Sequence, residues 1–388
     1  MTKIKVMSIF GTRPEANKMA PLIQELQKRE AFESIVAVTA QHRQMLDQSL
    51  QIFNLTPDYD LNIMQEHQSL SDITCRALTG LEAALREAKP DIVLAHGDTT
   101  TTFAASLAAF YQGVKLGHVE AGLRTYDKYQ PWPEEMNRKL TGALADLHFA
   151  PTALAKSHLL KENIGEDCIF ITGNTAIDCL KTTVSNENYI FRESLLNTIE
   201  YGAKRVIAMT AHRRENLGKP LEDICRAVKR IAEAYEDVAV VYAVHYNPAV
   251  RETAFSILKD CPRVYLTDPL DMADMHNLIR RSYLVLTDSG GLQEEAPALQ
   301  KPVIVLRNVT ERPEGVETGV LTLAGTAEDD VFEAATALLE DAALYRKMSL
   351  APNPFGDGKA SERICDAILY AFGLKPDRPM DYLPKTRG

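Results

Sequence analysis

A chain of 388 residues exceeds one ordinary hydrophobic core and points to two or three domains. Apolar residues make up 45% and charged residues 25%, the balance of a globular protein. The net charge of −10 excludes a broad nucleic-acid-binding face but permits a local cationic pocket.

In chain order, Lys3 and Lys5 flank an apolar run, Ile4–Phe10, and charge returns at Arg13 and Glu15. That pattern predicts a first strand rather than a signal peptide. Pro14–Arg29 is amphipathic, with Pro14 suited to a first helical turn. Ser34–Thr39 follows as a strand. Ser69–Ala88 is a second helix, with Ser69 as N-cap and Asp72 in the capping-box position. Asp91–His96, Val114–His118 and Cys168–Thr172 continue the series of short parallel strands rich in β-branched residues. After a polar stretch, Thr182–Tyr201, the pattern restarts with Arg205–Thr210, Val238–Val244, Arg263–Leu266, Leu284–Thr287 and Val303–Leu306. This alternation predicts an α/β protein of two doubly wound, Rossmann-like domains facing a cleft, 1–172 and 173–365, with the boundary near Gly173. The last helical stretch, Ala360–Phe372, is expected to return to the first domain, and 366–388 is assigned there as a C-terminal helix. No apolar run approaches membrane-spanning length. The cysteines (Cys75, Cys168, Cys179, Cys225, Cys261 and Cys365) lack Cys-x-x-Cys or Cys/His zinc spacing, which predicts reduced thiols in the cytoplasm and no metal site.

Candidate chemistry gathers where strands hand over to helices, since open parallel sheets bind ligands there. Gly11-Thr-Arg-Pro-Glu-Ala-Asn-Lys18 puts Arg13 and Lys18 near a helix N-terminus that already favours an anion; a solvated cap would look similar. His96-Gly-Asp-Thr99 places Asp98 at a strand tip, as a functional carboxylate or as a plain N-cap. Gly117-His-Val-Glu-Ala-Gly-Leu-Arg124 and Pro131-Trp-Pro-Glu-Glu-Met-Asn-Arg138 collect Glu120, Glu134 and Glu135 with two guanidinium groups, either for chemistry or as surface ion pairs. His212, Arg213 and Arg214 form a basic turn suited to a diphosphate or simply to water. In Thr287-Asp-Ser-Gly-Gly-Leu-Gln-Glu-Glu-Ala-Pro297 two glycines let backbone N–H groups approach a phosphate. Glu295 there suits ribose hydroxyls, and Arg312 offers a further cation. No Gly-x-Gly-x-x-Gly follows the first strand, so a dinucleotide cofactor is not supported. Tyr111 and Lys115 match the Tyr-x-x-x-Lys spacing of nicotinamide-dependent epimerases, but they straddle a helix end and a strand and would not share a helical face.

These segments, in this order over essentially the whole chain, resemble the non-hydrolysing UDP-N-acetylglucosamine 2-epimerases. The likeness is closest at Gly11–Pro21, Gln41–His42, Gly97–Thr99, His118–Thr125, Pro131–Arg138, His212–Gly218, Leu286–Pro297, Glu311–Glu314 and Asn353–Ser361. It implies a glycosyltransferase-B type fold, a homodimer, no cofactor, and interconversion of UDP-N-acetylglucosamine with UDP-N-acetylmannosamine. The sugar C2 proton has no neighbouring carbonyl to stabilise a carbanion. UDP would therefore leave C1 as C2 is deprotonated, giving 2-acetamidoglucal, and then add back. Such a route needs cations on the departing diphosphate and carboxylates near both sugar faces.

The resemblance implies Asp98, Glu120 and Glu134 as acid/base groups, with Arg13, Lys18 and His212 steadying the leaving group and the sugar. Ser289, Gly290, Gly291, Glu295 and Arg312 would hold UDP, and Met275 takes a place where an aromatic residue often stacks on the base. In bacterial members a second UDP-N-acetylglucosamine activates the enzyme. The matching positions are Gln41, Gln44, Gln68, Glu134, Arg213 and His245, with His67 where an arginine is common. Rival readings are a hydrolysing 2-epimerase, a glycosyltransferase of the same fold, and a nucleotide-sugar sensor.

Overall fold

The computed structural model describes residues 3–40, 43–65, 67–184 and 188–385, with only the backbone of Gln44 and Met45. The chain forms β1 (Ile4–Phe10), α1 (Arg13–Lys28), β2 (Phe32–Val38), α2 (Arg43–Ile52), β3 (Tyr59–Asp60), α3 (Leu70–Ala88) and β4 (Ile92–His96). It continues with α4 (Thr100–Tyr111), β5 (Lys115–Val119), α5 (Glu134–Leu144), β6 (Leu147–Ala150), α6 (Ala153–Lys161), β7 (Ile169–Ile171) and α7 (Thr175–Thr183). The second series is β8 (Arg205–Thr210), α8 (Lys219–Ala234), β9 (Val238–Ala243), α9 (Pro248–Leu258), β10 (Val264–Thr267), α10 (Met272–Arg281) and β11 (Leu284–Thr287). Then follow α11 (Gly290–Ala298), β12 (Val303–Val305), α12 (Pro313–Glu317), β13 (Leu321–Leu323), α13 (Glu328–Glu340), α14 (Ala342–Ser349) and α15 (Ala360–Ala371).

Two compact units result. One takes the chain up to Cys179 and again over Phe355–Leu383; the other takes Leu180–Pro354. The first is a parallel sheet in the order β3-β2-β1-β4-β5-β6-β7, the second in the order β10-β9-β8-β11-β12-β13. In each, strand order reverses beside the first strand, between β1 and β4 and between β8 and β11. A doubly wound sheet opens its ligand crevice at the strand tips of that reversal.

Local sequence explains the elements. β1 is apolar and almost wholly buried because both faces of its sheet are covered. Ser69 caps α3: its Oγ accepts the Asp72 N–H at 3.2 Å, while Asp72 Oδ2 accepts the Ser69 N–H at 2.9 Å. The first core gathers around Ile9, Val93 and Leu116, the second around Val240, Leu286 and Ile304. Each such buried aliphatic side chain stabilises its unit by about 1.5–3 kcal/mol.

The C-terminal segment differs from a helix over 366–388. α15 ends at Ala371, and the chain beyond it lies along β7: the Tyr382 N–H donates to the Ile171 carbonyl at 2.7 Å, and the Ile171 N–H donates to Asp381 Oδ1 at 2.9 Å. α15 belongs to the first unit because Asp178 accepts the N–H groups of Ala360 and Ser361 at its start (3.1 and 2.8 Å). Arg29 of α1 also pairs with Asp366 at 2.6 Å.

Candidate active site

In the first unit the β1–α1 turn is organised by a carboxylate. Glu15 is buried; its Oε2 accepts the N–H groups of Gly11 and Thr12 (3.1 and 2.8 Å) and the Thr12 hydroxyl (2.7 Å). Its Oε1 accepts the hydroxyls of Thr99 and Thr102 on the β4–α4 turn (2.8 and 3.1 Å), which ties the two strand tips together. Burial raises the Glu15 pKa above its usual value despite these bonds, each of which acts to lower it. The Gly11 and Thr12 N–H groups ahead of α1 are thus already occupied by a side-chain carboxyl group.

One turn further along α1, Lys18 Nζ meets Glu120 Oε2 at 2.5 Å, and Asn174 Nδ2 donates to the same oxygen at 2.7 Å. Glu120 follows β5 with φ = 64°, a left-handed conformation uncommon for a residue with a side chain and typical of functional positions. Asp98, just past β4, pairs with Arg138 of α5 at 2.7 Å, and its carbonyl accepts the Asn137 amide at 2.9 Å. Desolvation raises the Asp98 pKa and outweighs the opposing pull of Arg138. Thr99, not Asp98, caps α4, its Oγ1 accepting the Thr102 N–H at 3.1 Å, so capping does not explain Asp98. Glu135 is buried and structural, accepting the N–H groups of Thr125 and Tyr126 (both 3.1 Å) and pairing with Arg138 at 3.2 Å. Its neighbour Glu134, first residue of α5, keeps a buried Oε2 without a hydrogen-bond partner among the described residues. Arg13 lies exposed at the start of α1.

Beneath these carboxylates three buried imidazoles sit on adjacent strands: His96, His118 and His148. Burial depresses them to about 4, about 3 and about 4, so all three are neutral at pH 7. His96 Nε2 is 3.8 Å from Glu120 Oε2, and His118 Nε2 lies 2.7 Å from the Gly97 carbonyl.

The second unit carries a cationic, glycine-rich strand tip. Ser289 precedes α11 and makes no side-chain cap. A methyl group on Gly290 would lie 3.7 Å from an Arg213 nitrogen and 3.9 Å from an Arg312 nitrogen, so both guanidinium groups flank the N-terminus of α11. Arg312 is steadied by the buried Glu294, and its N–H donates to Thr310 Oγ1 at 3.1 Å. Glu295 meets His276 Nε2 at 3.2 Å, and His276 Nδ1 lies 2.6 Å from Thr183 Oγ1. Met275 is half-buried on the same helix as His276. The β8–α8 turn repeats the first unit's device: Asp288, fully buried, accepts the N–H groups of His212 and Arg213 (2.7 and 2.8 Å). His212 stacks on the exposed His245 at 5.2 Å.

The structure therefore gathers Lys18, Glu120 and Asp98 in one unit, and Arg213, Ser289, Gly290, Gly291 and Arg312 in the other. Of the positions expected to bind an activator, Gln41 and the Gln44 side chain lie outside the described residues. His67 and Gln68 sit on the turn before α3, and Arg213 and His245 flank His212. Tyr111 ends α4 and Lys115 starts β5, so they share no helix. Sequence reasoning gave no role to Glu15, Asn174 or Asp288, and it counted Arg138 as one of two guanidinium groups without its Asp98 partner. Only Glu15 left a local signal, the Thr12-x-x-Glu15 capping-box spacing. Among the described residues no cluster of His, Cys, Asp and Glu could hold a metal ion, and no helix is long and apolar enough to cross a membrane.

The sequence profile of the UDP-N-acetylglucosamine 2-epimerases matches residues 24–369. The chain belongs to this family. It is 56% identical to the UDP-N-acetylglucosamine 2-epimerase of Bacillus subtilis over 99% of this chain and 100% of that protein. It is also similar to the UDP co-structure of S. aureus MnaA (53% identity, 98% of this chain and 100% of that one, TM-score 0.88). The UDP-GlcNAc 2-epimerase of Neisseria meningitidis bound to UDP-GlcNAc is 46% identical (95% and 100% covered, TM-score 0.84). The fold is accordingly α/β with two Rossmann-like units, of glycosyltransferase-B type.

Proposed function

We propose that the chain interconverts UDP-N-acetylglucosamine and UDP-N-acetylmannosamine by expelling UDP from C1 and re-adding it to 2-acetamidoglucal, without hydrolysis and without a redox cofactor. The observation that carries this reading is the plugged β1–α1 turn. Glu15 takes the Gly11 and Thr12 N–H groups that a dinucleotide pyrophosphate would need, while carboxylates surround the same strand tips.

The second unit takes UDP. The N–H groups of Ser289-Gly290-Gly291, the α11 dipole, Arg213 and Arg312 counter the charge that builds on the departing diphosphate. Glu295 addresses the ribose, Met275 packs near the base, and His212 meets the diphosphate. Arg13 adds a further cation. Proton transfer at C2 falls to carboxylates in different environments. Glu120 is oriented by Lys18 and Asn174, Asp98 is shifted toward its protonated form, and Glu134 keeps an oxygen without a partner among the described residues. Groups whose surroundings differ in this way can divide acid and base roles.

The protein acts as a cytoplasmic homodimer in this proposal. A second UDP-N-acetylglucosamine acts as activator at Gln41, Gln44, His67, Gln68, Glu134, Arg213 and His245. Because His67 stands where an arginine is common, activation is expected to persist but to be weaker. Equal initial rates from the mannose epimer, with and without added UDP-N-acetylglucosamine at every pH, would count against that.

Incubation with UDP-N-acetylglucosamine in D₂O, with no added coenzyme, tests the reaction. We expect the 2-epimer carrying deuterium at C2. Free N-acetylmannosamine with UDP would instead indicate hydrolysis, and an unlabelled epimer would exclude proton exchange with water.

A further inference from the structure

Asp288 does more than close the β8–α8 turn. Its Oδ2 accepts the His212 and Arg213 N–H groups at 2.7 and 2.8 Å and the Asn216 amide at 3.0 Å. Its Oδ1 is buried, has no hydrogen-bond partner among the described residues, and faces His212 Nδ1 at 3.6 Å. A buried carboxylate oxygen without a donor is costly, and a small rotation of the imidazole brings its Nδ1–H within reach. The ring has a second support in His245, stacked at 5.2 Å with an interplanar angle of 13°. The His245 Nδ1 is itself an acceptor for the Asn247 N–H at 3.0 Å.

We propose that Asp288 is a positioning residue that holds His212 as the Nδ1–H tautomer, leaving Nε2 as the basic nitrogen that takes up a proton when a diphosphate binds. The step balances simply: one proton passes from solvent to Nε2 on binding and returns when the nucleotide leaves. The groups facing His212 set the threshold. Burial holds its pKa below the ordinary value, Asp288 pulls it up, and His245 and Arg213 push it down. An arriving diphosphate adds its negative charge to that of Asp288 and tips the ring toward imidazolium. The charged ring then meets the phosphate through a charge-assisted hydrogen bond. This rests on the reading of the second unit as the UDP site.

The experiment is calorimetric binding of UDP near pH 7.5 in buffers of different ionisation enthalpy, on wild type, Asp288→Asn and His212→Asn. Differences between proteins cancel the ionisation of UDP itself. Wild type should take up more protons per UDP than Asp288→Asn and His212→Asn. Asp288→Asn should bind UDP about tenfold more weakly at pH 6.5, the worth of one pKa unit, with a flatter pH profile. Equal proton uptake in wild type and Asp288→Asn overturns the proposal. Nitrogen-15 NMR of His212 in the wild-type protein is an independent test that holds even where Asp288→Asn does not fold. An Nδ1–H tautomer supports the proposal, and an Nε2–H tautomer refutes it. If wild type binds no UDP at any pH, the reading of the second unit fails and the ligand proposed here fails with it. UDP binding without the extra proton sinks the present proposal alone.

Discussion

Lys18 and Glu120 stand 102 positions apart in the chain and meet at 2.5 Å, the first on α1 and the second just past β5. Glu120 reaches that position only by adopting φ = 64°, and Asn174 holds the same carboxylate oxygen from a third element. Three separate chain segments thus fix one carboxylate. Glu120→Gln keeps the size of the side chain and removes its charge. We expect kcat to fall roughly 10²- to 10⁴-fold, the usual contribution of a positioned acid or base, with UDP affinity changed by no more than about threefold. Steady-state kinetics paired with UDP calorimetry checks this, and equal losses in both would assign Glu120 to binding.

Glu15 carries the joint between the β1–α1 and β4–α4 turns. Glu15→Ala strands the buried Gly11 N–H and removes the acceptor of Thr12 and Thr99, while Thr102 keeps the His96 carbonyl, and we expect it to lose about 3 kcal/mol of unfolding free energy. Glu15→Gln keeps an acceptor oxygen and should lose about 1 kcal/mol. Urea titrations of the two variants give the comparison; equal stability of both with wild type would contradict the joint.

Gly290 separates folding from ligand binding. The nearest atoms to an added methyl group are guanidinium nitrogens at 3.7 and 3.9 Å, ordinary contact distances, so Gly290→Ala should fold with unchanged stability. The methyl group would stand where a phosphate approaches the α11 N-terminus, and UDP affinity should fall about tenfold. Thermal unfolding and UDP binding on the same preparation test both halves.

The imidazole row makes stability depend on pH. His96, His118 and His148 have folded pKa values of about 4, 3 and 4 against 6.5 for an unperturbed histidine. Below 6.5 the unfolded chain binds their protons first, so the stability they contribute is full above that pH and drains away as pH falls toward 4. Glu15 and Asp98, both raised, run the other way, and their contribution fades as pH rises through their folded values. A difference measurement isolates one histidine. His148→Asn should reduce the slope of unfolding free energy against pH by about 1.4 kcal/mol per unit over roughly pH 4.5–6.5. An unchanged slope would mean that His148 is not held neutral.

Much of the fold was legible because strand signals here are short, apolar and β-branched. Ile4–Phe10, Arg205–Thr210 and Leu284–Thr287 have the bounds read from sequence. β3, β6 and β13 were not legible, since two to four residues give no period and β6 carries a histidine in a buried run. The motif residues stood out because Gly, Pro and paired charges at a strand-to-helix junction are locally unusual. Asn174 and Asp288 did not, because their partners lie 54 and 76 positions away and no local pattern encodes such pairing. Glu135 shows the opposite limit: it looks like Glu134 in sequence, and only the fold reveals that one is spent on backbone donors.

The central claim is that the C1–oxygen bond to UDP breaks and re-forms. UDP-N-acetylglucosamine labelled with oxygen-18 at the bridge between C1 and the β-phosphorus tests it most directly. The label should scramble into the non-bridging β-phosphate positions, by phosphorus NMR, at least as fast as the epimer appears. Epimer formed with the label still wholly in the bridge would contradict it.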